Sequence, residues 1–131
     1  TLEDAVKLVW HAFDDMKGGE IYVKKIPSMS IVDIAKAINE KAEYKIIGIR
    51  PGEKVHEQMI GAEDSPHTFE YDDHFKILPA IYNWSSDPER NSGGKKVASN
   101  FVYSSSNNER WMTVKQLRNW IEKNIDIIGR I

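Results

Sequence analysis

A small mixed α/β domain is the fold class that this 131-residue sequence predicts, on three observations. Apolar residues recur at three- and four-residue intervals in two stretches of the N-terminal third and again near the C-terminus, which is helical spacing. Short β-rich stretches bounded by Gly and Pro lie between them. An apolar share of 40% and a charged share of 29% are a globular balance, and a domain of this length buries roughly two-thirds of its unfolded surface. The whole chain, 1–131, is expected to form one domain with a real core.

The elements follow in order. Leu2, Ala5, Val6, Val9, Ala12, Phe13 and Met16 form one apolar stripe on a first helix, capped by Thr1 with Asp4 and ended by Gly18-Gly19. A cap with nothing before it suggests a piece of a longer protein. Ile21-Tyr22-Val23 is a short strand before Pro27. Ser30, with Asp33 three residues on, caps a second helix whose buried face is Ile31, Ile34, Ala35 and Ile38. Tyr44 to Ile49 is β-rich and ends in Arg50-Pro51-Gly52, a strand running into a turn. Lys54 to Ile60 suits a short helix, and Thr68 to Leu78 a strand, an acidic turn at Asp72-Asp73 and a second strand. From Pro79 to Ser99 periodicity is lost, which predicts a long, mobile surface loop. Phe101-Val102-Tyr103 is a last strand. Thr113 and Gln116 form a capping box for a final helix with Leu117, Trp120 and Ile121 inward.

Composition narrows function. Eighteen Lys and Arg against twenty Asp and Glu give a net charge of −2 with no block of one sign, so a nucleic-acid footprint is not expected. Without cysteine there is no disulfide framework, thiol catalysis or cysteine-ligated zinc. No apolar run approaches the roughly 20 residues that span a bilayer, and the N-terminus has no signal-peptide order. A soluble cytoplasmic protein is the expectation.

The densest chemistry lies in Arg50-Pro51-Gly52-Glu53-Lys54-Val55-His56-Glu57. The Arg50 fork can bind two phosphate oxygens at once, Pro51-Gly52 turns the chain, and Glu53 returns an acceptor suited to a vicinal diol. Delivered at the C-terminal end of a strand, where α/β folds bind ligands, these residues suit a phosphate and a ribose. A plain turn closed by a solvent-exposed Arg–Glu pair is the alternative, and spacing does not separate the two. His56-Glu57 is half of an H-E-x-x-H zinc site, but the second His position is Ile60, so no metal is expected there. His67, Asp72, Asp73 and His74 could chelate a cation, although an acidic turn explains them as well. Trp10 and Trp120 suit core packing better than stacking on bases, and Tyr103-Ser104-Ser105 and Asn107-Asn108 suit turn building better than sugar binding.

The same eight-residue segment resembles the R-P-G-E-K-L-H-E motif of inverting bacterial UDP-N-acetylglucosamine 4,6-dehydratases, extended short-chain dehydrogenases/reductases used for pseudaminic acid and related surface polysaccharides. Three further blocks resemble the family in order: Thr1 to Val6 (T-L-x-x-A-V), Gly19 to Met29 (G-E-I-F-V-x-K-I-P-S-M) and Phe101 to Trp111 (F-x-Y-S-S-x-N-N-x-x-W). Val55 stands where the family usually has Leu. The resemblance implies a C-terminal substrate-binding subdomain that lacks its Rossmann domain, with UDP-N-acetylglucosamine as ligand, Arg50 on the pyrophosphate and Glu53 on the uridine ribose. It also implies an N-terminal Rossmann domain as partner, NADP in the full-length enzyme and a homo-oligomer. In such an enzyme NADP takes a hydride from C4, water is eliminated across C5 and C6, and the hydride returns to C6. This chain contains no G-x-x-G-x-x-G and no Tyr-x-x-x-Lys, so no cofactor is expected in it and no catalytic residue is assigned to it. The other readings are a stand-alone binding or interaction module and the corresponding part of a related UDP-sugar epimerase.

Overall fold

A computed structural model describes residues 1–81 and 87–128 of the chain. It divides into two compact units, each built from two stretches of sequence: Thr1–Ile26 with Gln58–Ser104, and Pro27–Glu57 with Ser105–Ile131.

In the first unit, α1 (Leu2–Asp15) starts as the sequence predicts: Thr1 Oγ1 accepts the Asp4 amide and the Asp4 carboxylate reaches back to Thr1. Past the helix, Gly18 and Gly19 take φ of +125° and +83°. The Glu20 carboxylate gathers the amides of Lys17 and Gly18 and pairs with Arg90. β1 (Ile21–Lys24) joins β3 (Thr68–Glu70), β4 (His74–Ile77) and β5 (Lys95–Lys96) in an antiparallel sheet of order β1-β4-β3-β5. β3 and β4 flank the predicted acidic turn. A smaller antiparallel pair, β2 (Gln58–Ile60) with β6 (Tyr103–Ser104), contributes Ile60 and Tyr103 to a core shared with Val23, Phe75 and Ile77. The Tyr103 hydroxyl bonds both the amide and the carbonyl of Ile26, at 2.9 and 3.0 Å, satisfying a buried phenol and tying β6 to the end of β1.

Several expectations are corrected. The helix expected at 54–60 is absent; its last three residues are β2. Within the expected loop at 79–99, residues 82–86, including Trp84, lie outside the described residues, while Lys95 and Lys96 form β5 against Phe69 and Glu70. Most consequential, the apolar stripe of α1 is not its buried face. Leu2, Val9, Trp10 and Phe13 are exposed, Trp10 by 65%, whereas Leu8, Ala12 and Asp15 are partly buried.

Electrostatics explain that choice of face. Lys76, on the inner strand β4, is 3% exposed and donates to Asp15 at 2.7 Å; Tyr22 on β1 donates to the same carboxylate oxygen. The ammonium also lies over the ring of Tyr71, 5.1 Å from its centroid. Burial opposes ionisation of Asp15, but the Lys76 and Tyr22 hydrogen bonds outweigh it and hold the carboxyl below its ordinary range, while burial and then Asp15 push the Tyr22 phenol upward. Nearby, His74 stacks on Tyr71 and bonds Asp73, whose carboxyl is held at about 2 by His74 and Lys24.

Asp15→Ala strands a buried ammonium and a phenol together. We expect it to lower stability by about 3 kcal/mol in urea denaturation; a loss under about 1 kcal/mol, the range of exposed pairs, would show that Lys76 finds water instead.

Candidate functional site

The second unit rests on α2 (Ile31–Ile38) and α3 (Val114–Lys123), followed by α4 (Ile125–Ile128). α3 carries the predicted capping box, Thr113 with Gln116. Ser30 stands at the N-cap of α2 but makes no side-chain cap bond. The two long helices are joined by Arg118, whose guanidinium donates to the carbonyls of Lys36 and Ala37 and to Glu40. Ala37 is buried, Ile34 and Ala35 of the predicted face are partly buried, and Ile31 and Ile38 of that face are exposed. Trp120 also lies at the surface, which corrects its assignment to the core along with that of Trp10.

From Asn39 the chain turns, with the Asn39 carbonyl accepting the Ala42 amide, and enters the segment that carries Arg50. The strand expected over Tyr44–Ile49 does not form. Gly48 sits at φ +80°, which interrupts an extended run, and Ile46 is 90% exposed. Arg50 is therefore not delivered by a strand end. It is placed by a turn of its own: the Glu53 amide donates to the Arg50 carbonyl at 3.0 Å, Pro51 occupies the second position, and Gly52 has φ +85° at the third. Pro followed by Gly at positive φ is the signature of a type II turn.

Glu53 folds back to close that turn. Its Oε2 accepts the Arg50 amide at 2.9 Å and its Oε1 lies 3.5 Å from Arg50 Nε. The arginine side chain is 72% exposed, so the pair is well screened and worth little by itself. The contact uses Nε, and the two terminal nitrogens have no partner among the described residues. The geometry thus contains the Arg–Glu turn pair and a guanidinium edge directed at solvent, the edge that binds two oxygens of one anion.

Four residues further on, a second stretch meets this one. The Ser105 amide donates to the Glu57 carbonyl at 2.8 Å, the Glu57 amide donates to Ser105 Oγ at 3.1 Å, and that same Oγ lies 3.3 Å from His56 Nδ1. Spacing gave no sign of this contact, because 49 positions separate the two residues. Asn108 donates to Ser28 Oγ, and Ser28 bridges to Trp111, so this part of the 103–111 block builds structure. Among the described residues no three His, Asp or Glu side chains gather as a cation site, and no helix is long and apolar enough to cross a membrane.

Comparison with known proteins bears out the motif resemblance. The family described as polysaccharide biosynthesis protein matches residues 1–79. The chain is 44% and 45% identical over 122 residues to the inverting UDP-N-acetylglucosamine 4,6-dehydratases of two Campylobacter jejuni strains, covering 89% of this chain and 36% of each relative. A UDP-glucose 4-epimerase from Rickettsia canadensis is 32% identical over 114 residues, covering 84% of this chain and 33% of the relative. The chain therefore spans about a third of the length of the curated relatives it matches. A solved structure, Pen from Bacillus thuringiensis, superposes with a TM-score of 0.76 at 27% identity over 95% of this chain and 37% of that one.

The turn depends on one backbone angle. A β-branched residue at Gly52 cannot adopt φ +85° without strain, so Gly52→Val should cost about 1–3 kcal/mol locally. We expect hydrogen exchange at the Glu53 amide, bonded across the turn, to accelerate by roughly tenfold or more; unchanged protection would mean that the turn tolerates the side chain.

Proposed function

This chain belongs to the polysaccharide biosynthesis protein family, and on that premise we propose that it is the UDP-sugar-binding part of a longer UDP-N-acetylglucosamine 4,6-dehydratase, a lyase that forms a 4-keto-6-deoxy sugar nucleotide. The observation that carries the reading is the Arg50–Glu53 turn, with its open guanidinium edge, in a chain 44% identical to an inverting dehydratase. The lower identity to the epimerase, 32%, favours the dehydratase over the epimerase reading.

In this reading the chain contributes orientation. Arg50 binds the pyrophosphate through its terminal nitrogens while Nε stays with Glu53. Each Glu53 oxygen has acceptor capacity left after its contact with Arg50, so the ribose hydroxyls can donate to it without opening the turn. Holding the nucleotide at a distance from the sugar carbons spends binding energy on alignment, which is how a remote handle assists catalysis.

NADP does not fit this chain: it has neither a glycine-rich phosphate loop nor a Tyr-x-x-x-Lys pair, and no hydride step runs through its residues. The cofactor, the elimination residues and a Rossmann domain belong, in this proposal, to the remainder of the full-length polypeptide, which works in the cytoplasm as a homo-oligomer and supplies surface polysaccharide or pseudaminic acid synthesis.

Two experiments test this. Product analysis of the full-length protein with UDP-N-acetylglucosamine should give the 4-keto-6-deoxy sugar inverted at C5, and the isolated 131-residue chain should give none with or without NADP; a 4-epimer as sole product would move the protein to the epimerases. In calorimetric titration of the full-length protein, Arg50→Lys keeps the charge but loses the fork, so UDP affinity should fall roughly ten- to a hundredfold while NADP affinity is unchanged. Unchanged UDP affinity in a folded variant would return Arg50 to a structural turn.

A further inference from the structure

His56 lies three residues beyond the Arg50–Glu53 turn, and its ring is held by Ser105. The Ser105 hydroxyl accepts the Glu57 amide at 3.1 Å and faces His56 Nδ1 at 3.3 Å. The Glu57 N–H takes one of the two lone pairs of this oxygen, and the single hydroxyl hydrogen can turn to Nδ1. The hydroxyl cannot drift, because the Ser105 and Glu57 backbones are themselves paired at 2.8 Å. A neutral imidazole that accepts at Nδ1 carries its proton on Nε2. The residue is exposed, and Nε2 has no partner among the described residues.

We propose that His56 is a third nucleotide-binding side chain, donating its Nε2–H to a pyrophosphate oxygen, and that Ser105 is the positioning residue that fixes this tautomer. The assignment rests on the UDP-binding reading above. A donor-only edge matches phosphate oxygens, which carry only lone pairs, while the ribose hydroxyls are served by the acceptor Glu53. Arg50 and His56 divide the work: one brings charge and a fork, the other a single N–H donor with its direction set by a serine from the other stretch of the same unit.

The test uses the full-length protein with selectively 15N-labelled histidine in mildly alkaline buffer. The wild-type His56 signals should show an unprotonated Nδ1 and a protonated Nε2; Ser105→Ala should mix the two tautomers, and Ser105→Thr, which keeps the hydroxyl, should restore the wild-type pattern. In titrations, His56→Phe should weaken UDP roughly tenfold and leave uridine, which has no phosphate, within about twofold; Ser105→Ala should weaken UDP less, and Ser105→Thr should recover it. If wild type fails to bind UDP, the underlying reading falls and His56 with it. If UDP binds and Arg50→Lys weakens it while His56→Phe does not, the His56 assignment alone is overturned. A wild-type Nδ1–H tautomer, or a pattern indifferent to Ser105→Ala, overturns the positioning role.

Discussion

The ammonium of Lys76, 3% exposed on an inner strand, requires an anion, because removing the partner of a buried charge costs several kcal/mol. The anion is Asp15, in the last turn of α1, and that one pairing decides how the first unit is assembled. It selects the face of α1 laid toward the sheet, and it draws in Tyr22 from the adjacent strand, since a phenol beside a partly buried carboxylate gains a hydrogen bond it would otherwise lack. The chain then has to reverse within a few residues to enter β1, which is why two successive residues at positive φ follow the helix and why Glu20 is committed to the amides of Lys17 and Gly18.

The Arg50 segment is organised on the opposite principle. It has no buried charge and little regular structure; its shape comes from proline, a positive-φ glycine and short-range hydrogen bonds. Exposed polar groups on a locally fixed turn keep their hydration until a ligand replaces it, so their desolvation cost falls on binding and not on folding. The helical pair in the same unit, joined through Arg118, provides a rigid body from which such a turn can extend.

Local signals in the sequence translated well into structure. The caps at Thr1 and Thr113, the glycines after α1 and the acidic turn between β3 and β4 are each set by neighbours within four residues, and all appear. Two local readings fail, the side-chain cap at Ser30 and the helix over 54–60, and the remaining failures are nonlocal. Periodicity identified α1 but chose the wrong face, because a stripe reports apolar residues and not which side a distant lysine will attract. Tyr44–Ile49 has β-forming residues, but a strand also needs a partner and an uninterrupted backbone, and Gly48 breaks the second. Arg50 and Glu53 were legible as a unit because the turn holds them together, whereas the contact of His56 with Ser105 links segments that sequence spacing cannot connect.

The interleaved order of the two units bears on synthesis at the ribosome. Each is made of one early and one late segment, so β1 emerges well before β4, the strand it pairs with, and α2 well before α3. Neither unit can close until its second segment has left the exit tunnel, and the loops that must be closed make both slow steps compared with the β3–β4 hairpin, whose strands leave almost together. Vectorial folding therefore begins in the middle of this chain, on the hairpin that carries Lys76, and the helix that neutralises it waits as an unpaired segment until that strand arrives.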